Sequence, residues 1–175
     1  GHLVTGSDDE VFEPSLSRLK AKGLLPDTYG WFPEKITSDI SAVILGMHAR
    51  EDNPELIAAK EKGIPVFSFP EFIFEKSKNK QRIVIAGSHG KTTITAIILH
   101  VLKHINKEVD FLVGAQIAGF DNMVRLSETA PTIIIEGDEY FASPLDKQPK
   151  FLKYQHHIAL VSGVSWDNIN VYHTL

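Results

Sequence analysis

Cysteine is missing from all 175 residues. That excludes disulfide staples and thiolate-held metals, and it suits a cytoplasmic protein. No apolar run approaches the roughly 20 residues that a membrane-crossing helix needs. Excess positive charge is missing too: 18 Lys and Arg stand against 22 Asp and Glu, a net charge of −4. A general nucleic-acid binder would show a basic footprint instead. The opening GHLVTGSDDE lacks both an initiator methionine and a signal-peptide pattern. Leu3 to Thr5 reads as a short strand already under way, and the closing NINVYHTL stops without a helix or cap. The chain therefore reads as a piece of a longer protein at both ends. What is present is ordinary for a globular fold, with 43% hydrophobic and 23% charged residues.

Strand and helix signals alternate along the chain. Pro14 to Lys22 reads as a helix closed by Gly23, and Ala42 to Leu45 as a buried strand. Asn53-Pro54-Glu55 supplies a cap, a first-turn proline and an acid at the positive end of a helix that runs to Gly63. Pro65 to Phe69 then reads as a strand, and Pro70 to Lys76 as a helix. Lys76 to Gln81, KSKNKQ, has the composition of a linker. After it the pattern restarts: strand 83–86, helix 91–105, and strands at 111–113, 132–135 and 157–162. Such alternation predicts an α/β architecture with mostly parallel sheets and a boundary near residue 80.

Between the strand at 83–86 and the helix from Lys91 lies Gly87-Ser88-His89-Gly90-Lys91-Thr92-Thr93. The spacing is shorter than in the standard phosphate loop, because the position five before Gly90 is Ile85. The chemistry still suits a nucleotide. Gly87 and Gly90 let the backbone turn its N–H groups toward phosphate oxygens, and the helix terminus adds partial positive charge. Lys91 can reach β- and γ-phosphates, and the Thr92 hydroxyl can join a Mg²⁺ shell. A glycine-rich turn before a surface helix is the plainer alternative, but the strand–loop–helix setting favours phosphate. His89 is equally suited to touching a substrate or to filling the loop. The strand at 132–135 ends in Glu136, Asp138 and Glu139, and Glu136 completes a hard-oxygen metal pair with Thr92. His100 and His104 lie four apart on one helix, where a partly buried face explains them more cheaply than a metal.

Taken in order, VTGSD, DNPEL, AGSHGKTT and EGDEY resemble the Mur ligases of bacterial cell-wall synthesis, over essentially the whole chain. The resemblance implies ATP and Mg²⁺ as cofactors and UDP-N-acetylmuramate as one substrate. It implies three modules. Residues 1–80 would be a Rossmann-like UDP-sugar module without its first strand and glycine loop, and 81–175 the start of the central ATPase module; the C-terminal module would be absent. Ser7 and Asp8 would end the second strand and face the UDP-sugar, as would His48 and Asn53, the last of which also caps a helix. The implied reaction phosphorylates the muramoyl carboxylate, and an amine then attacks the acyl phosphate. Lys91 would stabilise the phosphoryl group in flight, and Thr92 and Glu136 would hold Mg²⁺.

Within the family, Asp138 to Gln155 is most similar to the branch that attaches the tripeptide L-alanyl-γ-D-glutamyl-meso-diaminopimelate during peptidoglycan recycling. The branch that adds L-alanine is the alternative, and a non-catalytic nucleotide or UDP-sugar binding module is a third reading from another class. A GTPase or kinase is disfavoured by the short loop. One departure stands out: Asn168 occupies the place of a histidine that binds a second Mg²⁺ in relatives. An amide oxygen can ligate Mg²⁺, so Asn168 stays a metal candidate beside Asp167.

Overall fold

The β-branched runs at 83–86 and 132–136 become neighbouring strands, as their composition favours. In the computed structural model, which describes residues 2–143 and 145–165, they form the centre of the principal sheet. That sheet has five strands in the order β5-β4-β6-β3-β9. They are β3 (Gln81–Ala86), β4 (Asp110–Leu112), β5 (Val124–Arg125), β6 (Thr132–Glu136) and β9 (Ile158–Val161). The pairs β3–β6, β3–β9 and β4–β6 are parallel, and only the short β5 runs antiparallel to its neighbour. The α/β expectation with a mostly parallel sheet is met.

Strand alternation divides the core. Ile85 and Ile134 pack with Leu99, Val109 and Phe111 beneath α4 (Lys91–His104). Val84, Ala86, Ile133 and Ile135 face the other way, onto Ile73 of α3 (Phe69–Ser77) and Tyr154. Both faces of β6 are covered, which is why its sequence is a continuous apolar run rather than an alternating one. Within α4, Thr95 is fully buried, and its hydroxyl has no hydrogen-bond partner among the described residues. Thr95→Val is therefore expected to raise stability by about 1 kcal/mol, since it removes an unsatisfied buried polar group at nearly constant shape. Thermal unfolding should show a melting temperature roughly 2–4 °C higher.

The described residues cluster into two units. One holds those up to Val43 and Arg50–Val66; the other holds Ile44–Ala49 and those from Phe67 on. In the first unit, α1 (Ser15–Ala21) and α2 (Pro54–Glu61) form where expected, with Gly23 and Gly63 at φ +65° closing them. Its small core consists of Ile36, Ala58, Ala59 and Ile64. Two short strands, β1 (Val43–Leu45) and β2 (Val66–Ser68), pair in a sheet of their own.

Two expectations need correcting. Leu3 to Thr5 forms no strand: among the described residues none pairs with it, and Leu3 is almost wholly exposed. The polar stretch at 76–81 is structured rather than a linker. It contains the end of α3, the buried Lys80 and the start of β3. Ile73 of α3 packs on the principal sheet, and α3 belongs to the same unit as that sheet. A hairpin of β7 (Phe141–Ser143) and β8 (Asp146–Pro149), followed by the single turn α5 (Lys150–Lys153), was not foreseen. Among the described residues no helix is long and apolar enough to cross a membrane.

A candidate nucleotide site at the strand ends

Parallel strands present their carboxyl ends on one edge of the sheet, and loops from three adjacent strands meet there. After β3 the chain turns through Gly87 at φ +112° and Gly90 at φ +76°, the latter serving as the N-cap of α4. Gly87 is needed for space as well as for its dihedral. A Cβ at this position would lie 2.5 Å from the Ser162 backbone nitrogen. That close approach sets the loop against the turn that follows β9.

The turn claims part of the loop. Ser88 N–H donates to the Gly163 carbonyl at 3.2 Å and His89 N–H to that of Ser162 at 3.4 Å. The Ser162 hydroxyl donates back to the His89 carbonyl at 2.5 Å, and Ser165 N–H to the Ser88 hydroxyl at 2.7 Å. The N–H groups of Ser88 and His89 are thus satisfied within the chain. The first-turn N–H groups of α4 have no acceptor inside the helix, the setting in which a helix terminus can receive an anion.

A cleft of about 340 Å³ opens over this helix terminus, lined by Ser88, Gly90, Lys91, Thr92, Thr93, Glu136 and Asp138. The Thr92 hydroxyl donates to Glu136 Oε1 at 2.5 Å. The other carboxylate oxygen of Glu136 accepts from the Gly114 N–H at 2.8 Å, just past β4. Gly114 has no side chain for a geometric reason: a Cβ there would stand 3.1 Å from Glu136 Oε1. Lys91 curls over the loop, donating to the Gly87 carbonyl at 2.7 Å and to Glu139 Oε2 at 2.8 Å. Asp138 accepts from Lys150 Nζ at 3.1 Å. Burial pushes the Tyr154 phenol well above its ordinary pKa, and the negative charge of Asp138 adds to the shift.

The structure thus brings together Gly87, Ser88, Gly90, Lys91, Thr92, Thr93 and Glu136. His89 contributes its backbone to the loop, while its side chain is exposed. Gly114 and Lys150 were not singled out beforehand, and Glu139 was noted only as part of the acidic cluster after β6. For Gly114 a signal existed, since a glycine directly after a strand in this topology lies on the ligand edge. Thr92 and Glu136 are adjacent hard-oxygen donors and so fit Mg²⁺, which needs few protein ligands. Among the described residues no cluster of three or more His, Asp or Glu could hold a metal. His100 instead packs edge-on against Phe120, with ring centroids 5.2 Å apart.

None of the candidates upstream is among the residues that line this cleft. Asn53 caps α2, accepting from Glu55 N–H at 2.9 Å and Leu56 N–H at 3.1 Å. The Asp8 carbonyl accepts from Gly30 N–H at 2.7 Å, Ser7 is half-buried and His48 is exposed. Asn168 and Asp167 fall outside the described residues.

No family model matches the chain. A UDP-N-acetylmuramate–L-alanyl-γ-D-glutamyl-meso-2,6-diaminoheptandioate ligase of Escherichia coli strain K12 is 28% identical over 100% of this chain and 38% of its own length. A UDP-N-acetylmuramate–L-alanine ligase of Roseiflexus sp. strain RS-1 is 31% identical over 98% of this chain and 35% of its own length. Along its whole length the chain matches Mur ligases. Among solved structures, a UDP-N-acetylmuramate:L-alanyl-γ-D-glutamyl-meso-diaminopimelate ligase from Neisseria meningitides superposes with a TM-score of 0.81. It is 25% identical, and the match covers 96% of this chain and 55% of that one. The chain therefore spans well under half the length of these curated Mur ligases.

Proposed function

We propose that the chain carries part of the machinery of an ATP-dependent ligase that forms an amide bond to UDP-N-acetylmuramate. The observation that supports it best is the meeting of Thr92 and Glu136 at 2.5 Å beside the Lys91 loop. The site offers a lysine, a hydroxyl and carboxylates, and no activated nucleophile. Phosphoryl transfer asks for that combination, because it depends on positioning and charge neutralisation. A magnesium ion held by Thr92 and Glu136 would neutralise charge on the phosphates. Gly114 N–H fixes the carboxylate orientation, and Lys91 places a positive charge over the loop. In the reaction proposed, the muramoyl carboxylate takes the γ-phosphoryl group and ADP leaves; the amine then displaces phosphate from the acyl carbon. Ser7, Asp8, His48 and Asn53 are proposed to face the UDP-sugar, and Asn168 a second Mg²⁺. A cytoplasmic setting goes with these substrates.

The tripeptide L-alanyl-γ-D-glutamyl-meso-diaminopimelate is the preferred acceptor, supported by the Asp146-Lys147 and Lys150-Phe151 pattern and by the relatives from Escherichia coli and Neisseria. L-Alanine is the second reading, favoured by the 31% identity to the Roseiflexus enzyme. The test is phosphate release from ATP by the product of the complete gene, with UDP-N-acetylmuramate and either acceptor. Turnover with the tripeptide alone is expected. Turnover with alanine alone would move the assignment to the alanine branch, and silence with both would refute the ligase.

A further inference from the structure

The lysine that should meet a phosphate already has an anion. Lys91 Nζ lies 2.8 Å from Glu139 Oε2, and the two side chains are only 12% and 14% exposed. A pair so shielded from water interacts more strongly than a surface pair. The backbone on either side of Glu139 is tied down. The Asp138 carbonyl accepts from Phe151 N–H at 3.1 Å and the Tyr140 carbonyl from Lys150 N–H at 2.9 Å. Two residues earlier, Gly137 N–H is fixed to the Ile85 carbonyl at 2.9 Å. A side chain added at Gly137 would come within 2.5 Å of Val84 Cγ1 and 2.8 Å of Phe151 Cβ, so the segment packs closely against β3 and α5. Release of Lys91 would therefore fall to the Glu139 side chain rather than to its backbone.

From this geometry we infer that Glu139 is a stand-in anion: it holds the Lys91 ammonium over the loop and yields it to the β- or γ-phosphate of an incoming nucleotide. The inference rests on the nucleotide-binding reading of the cleft. Glu139 acts through Lys91 and is a positioning residue. Its carboxylate keeps the long lysine side chain from sampling solvent rotamers, and the same charge opposes the polyphosphate that must replace it. Glu136 differs in kind. Its two oxygens are engaged by a hydroxyl and a backbone N–H, neutral donors that leave its charge available to a cation. The acidic turn after β6 therefore has two tasks, with one carboxylate directed to a metal and another to the lysine.

The test is calorimetric titration of the 175-residue chain and its Glu139→Gln variant with ATP–Mg²⁺, ADP–Mg²⁺ and AMP. E139Q is expected to bind ATP and ADP roughly five- to tenfold more tightly, the scale of a shielded charge pair. AMP affinity should not change, because it lacks the phosphates that Lys91 reaches. Thermal unfolding supplies a second readout. Without nucleotide E139Q should melt below the parent chain, and saturating ATP–Mg²⁺ should close the gap. Glu139→Asp, whose carboxylate is one methylene short of the lysine, should tighten ATP binding by a smaller factor and serves if E139Q does not fold. Equal or weaker ATP binding by the variants overturns the stand-in role alone. Absence of ATP binding by the parent and variant chains overturns the nucleotide reading, and this inference with it.

Discussion

Lys91→Met in the complete protein is expected to lower kcat by about 10²–10³-fold, the usual loss when one preorganised charge is removed from a developing anion. The fold should survive. Methionine keeps most of the apolar stem, and the position opens α4 rather than filling the core. The lost contacts are those to the Gly87 carbonyl and to Glu139. Because Glu139 would then lack its cation, a modest drop in melting temperature is expected. Lys91→Met combined with Glu139→Gln should recover that drop without recovering turnover, since no positive charge returns to the phosphoryl group. Phosphate release and thermal unfolding measured on the same preparations separate the two effects. More than a tenth of the parent activity in Lys91→Met would show that the lysine is not part of the phosphoryl chemistry.

Asp110→Ala should cost about 3–5 kcal/mol, the range for removing one member of a buried ion pair. Asp110 is fully buried at the start of β4, and Lys80, just before β3, is 8% exposed. The Lys80 ammonium lies 3.0 Å from Asp110 Oδ2 and also donates to the Ser127 and Ala130 carbonyls, each at 2.7 Å. Asp110 in turn accepts from the Ser127 N–H and hydroxyl, at 2.9 and 2.8 Å. Truncating the acid leaves a buried ammonium with two neutral acceptors and strips Ser127 of two. Denaturant unfolding should show the loss, and the melting temperature should fall by roughly 6–20 °C. Lys80→Met with Asp110→Asn should lose less than the sum of the single changes, because no charge is left unpaired. The network lies at the starts of the strands and the nucleotide cleft at their ends, so ATP affinity of the folded fraction should hardly move.

The elements with local signals were legible before the structure. Asn53-Pro54-Glu55 and the glycine closing α2, the apolar runs of β3 and β6, and the glycine loop ahead of α4 each state their conformation within a few residues. Thr92 and Glu136 meet because one lies in the helix that follows β3 and the other ends β6, its neighbour in the parallel sheet. What escaped was set by partners far along the chain. KSKNKQ looks like a linker because lysine is normally solvated, and Lys80 is buried by partners 30 to 50 residues away, Asp110 and the Ser127 and Ala130 carbonyls. Leu3 to Thr5 has strand-forming residues, yet a strand also needs a neighbour to hydrogen-bond with. The β7–β8 hairpin is polar and carries prolines, so its sequence lacks the alternating pattern. Glu139 stood in view within an acidic cluster, but its contact with Lys91 crosses 48 residues.

Glu136 is clasped by a hydroxyl beyond the end of β3 and a backbone amide beyond the end of β4, one on each side of β6. A slip of one residue in either pairing would turn Glu136 to the opposite face of the sheet. On the proposed reading of the cleft, nucleotide capture would also be a gauge of correct strand assembly: a collapsed but misaligned chain would bury similar apolar surface and bind nothing. Folding intermediates should remain blind to ATP until β3, β4 and β6 are all in place, and the ligand would then draw the population toward the one alignment that can receive it.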